Sequence, residues 1–178
     1  MKRVFRVRFW TGCLAIGVFC HAARAAEPQL TPEQEQRVEE SEKYHTQTLE
    51  LLHAGKYAEA IAPVQQALEI RRASLGENHP YAAISCSTLA EAYRLNRKLA
   101  EAEMNCRKAL AIRQNVLKPN DSSLATSYNN LATIVQSEGK YAEAASLHLK
   151  ALAIWEKVHG ADHVMLGSVL NKHGRITP

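Results

Sequence analysis

The 178-residue sequence has none of the short signatures that carry common enzyme chemistry: no glycine-rich phosphate loop, no HExxH and no GxSxG. Its carboxylates fall mostly on polar helix faces rather than in convergent pairs, so no catalytic residue is assigned and no enzyme is expected. Glycine (8) and proline (6) are sparse and follow no collagen-like period. The apolar stretch Phe9 to Cys20 is about 12 residues long, whereas a membrane-spanning helix needs roughly 20. Acid is absent from the first 25 positions, which hold five of the 22 basic residues: Lys2, Arg3, Arg6, Arg8 and Arg24. Without those five the chain carries 17 basic against 18 acidic side chains, so the formal charge of +4 belongs to the leader and gives no reason to expect nucleic acid.

What is present at the start reads as a secretory signal peptide over 1–25: a cationic beginning, the apolar stretch, then the small residues Ala22-Ala23-Arg24-Ala25-Ala26. Cleavage is expected near Ala25. The leader has no adjacent Arg-Arg pair, and Cys20 follows Phe19 rather than a small residue, so neither the twin-arginine route nor lipidation is expected. The expectation is a periplasmic or secreted protein with no stable membrane insertion after cleavage. Residues 26–33 read as a linker. The remainder, in a chain 46% hydrophobic and 22% charged, has the balance of a folded domain.

That remainder repeats. Tyr57-Ala58-Glu59-Ala60 returns as Leu99-Ala100-Glu101-Ala102 and as Tyr141-Ala142-Glu143-Ala144, a spacing of 42 residues both times. Ala67-Leu68-x-Ile70 is matched in the same register by Ala109-Leu110-x-Ile112 and Ala151-Leu152-x-Ile154. Within a unit the apolar spacing is helical: Ala82, Cys86, Leu89, Ala90 and Tyr93 form one stripe, and Ala102, Cys106, Ala109 and Leu110 form the next. Tight links at Ala54-Gly55-Lys56, Asn96-Arg97-Lys98 and Glu138-Gly139-Lys140 punctuate each helix pair. Longer links follow at 76–80, 118–122 and 160–163, where Pro80 suits a first helical position and Asp121 or Ser122 an N-cap.

Cys86-x2-Leu89-Ala90-x2-Tyr93 followed by Ala102-x3-Cys106-x2-Ala109, repeated at Tyr128, Leu131, Ala132, Val135, Ala144, His148 and Ala151, resembles the tetratricopeptide repeat (TPR) pattern. The 42-residue length, Leu75-Gly76-x2-His79-Pro80 and Tyr128-Asn129-Asn130-Leu131-Ala132 resemble the long kinesin-light-chain-like subtype. The resemblance implies an all-α fold: a right-handed α-α superhelix of about three helix-turn-helix units plus a short C-terminal helix. The units fall at 34–76, 80–118 and 122–160, with 164–178 a partial fourth repeat or frayed cap. Gln47 and Thr48 depart from the pattern where Leu and Ala are wanted, which makes the first helix degenerate and suits it to an N-terminal cap.

Within the second hairpin, Cys86 and Cys106 each stand one turn further from the link than the close-contact pair Ala90 and Ala102. They should face one another, and export would allow a structural disulfide; two small buried thiols are the alternative. His148 takes a core position, and His79 and His163 stand just before helices. His159 and His163 alone are too few ligands for metal, so no metal and no cofactor is expected.

Stacked hairpins present their first helices on a concave side. The side chains beside the core stripe there are Ser87, Thr88, Glu91 and Arg94 in the second unit, and Thr126, Asn129, Asn130, Thr133 and Gln136 in the third; His45, Leu49, Leu52 and Ile84 join them. Asn129 and Asn130 each offer a donor and an acceptor, as an extended peptide backbone requires. In related repeats an Asn-Asn pair contacts peptide, and the resemblance implies this role for Asn129 and Asn130. No lysine falls among these positions, so a clamp on a C-terminal carboxylate is not expected. The resulting expectation is a non-catalytic interaction module holding a partner protein or peptide in its groove. The alternative is an assembly protein that self-associates, as a homodimer through the solenoid ends, or stacks on another repeat protein.

Overall fold

The structure, a computed structural model, describes residues 30–160. The signal peptide and the fourth repeat expected from the sequence lie outside the described residues. The described chain forms six helices: α1 (Pro32–His53), α2 (Tyr57–Leu75), α3 (Pro80–Leu95), α4 (Leu99–Val116), α5 (Ser122–Ser137) and α6 (Tyr141–His159). Each helix packs against its neighbours in sequence, α1 on α2, α2 on α3 and onward to α6, which is the quasi-one-dimensional order of an all-α superhelical repeat.

Local chemistry sets the breaks. The first unit begins two residues before position 34, because Thr31 caps α1 with a reciprocal box. Gln34 N–H donates to Thr31 Oγ1 at 3.2 Å, Thr31 N–H donates to Gln34 Oε1 at 2.9 Å, and Pro32 fills a first-turn position. Asp121 caps α5, its carboxylate accepting from Ser123 N–H at 2.8 Å, and His79 caps α3 by accepting from Tyr81 N–H at 3.2 Å. All three tight links close in the same way. The N–H groups of Lys56, Lys98 and Lys140 donate to the carbonyls of Leu51, Tyr93 and Val135 at 2.9, 2.9 and 3.0 Å. This is the bond of a Schellman ending, which needs a left-handed residue just before it; Gly55, Arg97 and Gly139 take that place with φ of 74°, 63° and 81°.

The core is built on small residues. Ala60, Ala102 and Ala144 on the second helices, and Ala90 and Ala132 on the first, are 2% exposed or less. Leu89 and Leu131 are buried beside them, whereas Gln47, at the matching place on α1, is exposed. No preceding hairpin among the described residues covers that position, so a polar residue there costs nothing. Thr48 is fully buried and satisfies its hydroxyl by donating to Tyr44 O at 2.8 Å.

Candidate functional site

A cleft of about 330 Å³ opens between α3 and α5. Its walls are Ser87, Ala90, Glu91 and Arg94 from α3 and Ser127, Asn129, Asn130, Thr133 and Ile134 from α5, with Cys106 of α4 at the floor. Six of the nine residues expected to line a groove therefore meet here: Ser87, Glu91, Arg94, Asn129, Asn130 and Thr133. Thr88, Thr126 and Gln136 are outside the lining. Two of these turn back on their own helix, Thr88 Oγ1 donating to Ile84 O at 3.2 Å and Thr126 Oγ1 to Ser122 O at 3.1 Å.

The charges in the walls cancel. Arg94 donates through Nε and Nη2 to the two carboxylate oxygens of Glu91 at 2.7 and 2.6 Å, and this bidentate pairing raises the arginine's pKa. The rest of the lining is uncharged, polar at Ser87, Ser127, Asn129, Asn130 and Thr133 and apolar at Ala90, Ile134 and Cys106. Thr133 Oγ1 donates to Asn129 O at 3.0 Å, and Asn129 Oδ1 is covered yet has no hydrogen-bond partner among the described residues.

Sequence reasoning missed Ser127 and what lies behind it. Arg113, on α4, donates from Nη1 to Ser87 Oγ at 2.9 Å and to Ser127 Oγ at 2.6 Å, so both serines of the cleft are fixed by one guanidinium beneath them. The signal was available as an echo at the 42-residue period. Arg71 on α2 donates to Ser85 Oγ at 2.7 Å, and Arg113 and Ser127 stand one period further on.

The disulfide expected between Cys86 and Cys106 is not formed in the structure; both are free, buried thiols. Each second-hairpin helix packs on a neighbouring hairpin as well as on its own partner. Cys86 consequently joins the core cluster that reaches back to Val64 and Leu68, and Cys106 joins the one that reaches forward to Leu131 and Leu147. Burial pushes the Cys106 thiol up to about 11 and raises Cys86 as well, so both are poor nucleophiles at neutral pH. Among the described residues no three His, Cys, Asp or Glu side chains cluster to hold a metal. Ser122 Oγ lies 3.0 Å from His159 Nε2; His163 lies outside the described residues. His148 is fully buried.

The family follows from both sequence and fold. Models of the tetratricopeptide repeat match residues 50–115 and 124–164, together more than half of the chain, and the chain belongs to the tetratricopeptide repeat family. Such a chain is a protein-interaction or scaffold module, and the family is generally non-catalytic. No curated protein matches the sequence. Solved structures do match the fold. The nearly identical TPR-like repeats of a kinesin-light-chain-type protein from Podosopora anserina superpose with a TM-score of 0.71 at 24% identity, over 78% of this chain and 66% of that one. BtubC (BKLC) from P. vanneervenii gives 0.68 at 21% identity over 81% and 63%, and a TPR-like protein from Chlorobium tepidum gives 0.63 at 20% over 81% and 98%. The chain thus spans just under two thirds of the length of the first two, and identities this low speak to fold alone.

Proposed function

We infer that the protein is a non-catalytic interaction module that acts after export and holds a segment of a partner polypeptide in the cleft between α3 and α5. The observation that carries this reading is the cleft itself: side chains of two successive hairpins converge on one concavity whose lining is mostly polar, has no net charge and leaves Asn129 Oδ1 unsatisfied. Asn129 and Asn130 sit on its α5 wall, where amide groups can pair with an extended backbone. A groove spanning two first helices is short, so affinity of about micromolar order is expected once the ordering of a flexible segment is counted. Export rests on the pattern of residues 1–26, and an intact mass of the protein from its source that retains those residues would refute it.

Stacking through the N-terminal end finds little support. The only buried residues of α1 are Ser41 and Thr48, and Glu33, Glu35, Glu39 and Glu40 are exposed. The test is a crosslinking pull-down from periplasmic extract with the native protein and with an Asn129→Ala/Asn130→Ala variant of unchanged circular dichroism. One partner recovered by the native protein and lost by the variant is the expected result. Equal recovery by both, or recovery of the protein alone, rejects the cleft and favours self-association.

A further inference from the structure

The 42-residue period pairs each residue of the second hairpin with one of the first, and the comparison exposes an incomplete ion pair. Arg71, only 1% exposed, has its guanidinium fully engaged. Nε donates to Ser41 Oγ at 3.1 Å, Nη1 to Ser85 Oγ at 2.7 Å and Nη2 to Glu42 Oε1 at 2.7 Å. Glu42, half exposed, supplies the negative charge that makes a buried cation tolerable.

Arg113 repeats this arrangement with the acid left out. Nη1 again reaches a serine of the next hairpin, Ser127, but the residue one period after Glu42 is Ile84 and the one after Ser41 is Ala83. Among the described residues no carboxylate lies within ion-pair distance of Arg113, and only Nη1 of its guanidinium donates a hydrogen bond. The acid that acts on it electrostatically is the more distant Asp121. Burial works against its charged form and holds its pKa below the usual guanidinium value.

The surroundings do little to compensate. The 16 residues of α5 include no charged side chain, and α3 contributes only the Glu91–Arg94 pair, already closed on itself. A partly buried cation thus sits behind the floor of a cleft with no net charge in its walls, joined to it by the hydroxyls of Ser87 and Ser127. Asn129 Oδ1 is the second unsatisfied group, an acceptor that lacks an N–H.

We propose that the missing carboxylate comes from outside the chain, and that the cleft selects a segment carrying an aspartate or glutamate side chain. The carboxylate is drawn to Arg113 and the Ser87 hydroxyl, since Ser127 already donates its proton to Ser123 O at 2.8 Å, while the neighbouring backbone N–H of the segment donates to Asn129 Oδ1. A free anion would answer the first demand and leave the second open, which favours an acidic residue within a peptide. The inference rests on the cleft reading above and adds the chemical class of its ligand.

The test uses random dodecapeptides displayed on phage with no free carboxyl terminus. They are selected on the purified wild-type protein, on Arg113→Gln and on Ile84→Glu. The last variant places a carboxylate 29 residues before Arg113, the separation of Glu42 from Arg71, and so closes the pair from within. Because Ile84 is 38% exposed, this substitution leaves the core untouched and guards against a misfolded Arg113 variant. Wild-type binders should be enriched in Asp or Glu at one position, and both variants should lose that enrichment and bind the selected peptides about tenfold more weakly. Binders without acidic enrichment, or undiminished binding by Ile84→Glu, overturn the inference and leave the cleft reading standing. If the wild-type protein binds no peptide, both fall.

Discussion

Among single residues, Arg97 holds the least comfortable backbone in the described chain. It occupies the left-handed position that Gly55 and Gly139 fill in the other two hairpins, and it is the one non-glycine residue with positive φ among those described. A side chain in that region costs about 1–2 kcal/mol, partly offset because glycine loosens the unfolded chain. Arg97→Gly should therefore stabilise the protein by about 0.5–1 kcal/mol, read as a raised urea midpoint at constant slope; a lowered midpoint would mean that the arginine side chain itself holds the link. The same scale marks where the sequence was hardest to read. Cys86 and Cys106 are correctly read as buried, but their register within one hairpin ignores the pull of the hairpins on either side. Arg113 does not show in the groove pattern, because it lies on a second helix and reaches the cleft only through two serines.

At the scale of helices the sequence was more transparent. The Schellman endings, Asp121 and Pro80 each announce a break through local chemistry, and α2 to α6 follow the 42-residue register closely, while α1 begins six residues ahead of it. Pro63 is the exception that tests the rule. It is buried inside α2, where its ring removes a backbone donor, and the helix runs through it because the apolar stripe continues on both sides. Helix-to-helix joints between hairpins add a polar link to their apolar contacts: Arg71 links α2 to α3 through Ser85, and Arg113 links α4 to α5 through Ser127. Arg71→Met keeps the length of the side chain and removes these bonds, while Glu42 can turn to solvent. The expected cost is about 2 kcal/mol by chemical denaturation. Loss of less than about 0.5 kcal/mol would show that the joint is held by its apolar contacts alone. Nothing in a propensity or a hydrophobic pattern announces such joints; they appear only when polar residues are compared one period apart.

Over the whole molecule, the second and third hairpins are also tied by an exposed network. Glu103 accepts from Arg107 Nη2 at 2.6 Å and from Lys140 Nζ at 2.7 Å, and Arg107 donates as well to Glu143 at 2.6 Å. The Lys140 hydrogen bond chiefly, with Arg107 adding to it, holds the Glu103 carboxyl down at about 2 against the opposing effect of burial. A carboxyl lowered on folding contributes stability above its usual value near 4.5, and that contribution is lost as pH falls toward 2. The thermal midpoint should fall across this window, and Glu103→Gln should flatten the fall. An unchanged slope in the variant would place the acid sensitivity elsewhere. Salt should weaken the effect, since Arg107 and Lys140 are about half exposed.

The cleft has a mechanical consequence. Its two walls belong to different hairpins, and these hairpins pack on one another chiefly through α4 and α5, with the Arg107–Glu143 ion pair beside them. Whatever bridges α3 and α5 acts as a strut across that joint and fixes the angle between the units. The protein would then answer its partner by becoming stiffer, with no element needing to change its conformation.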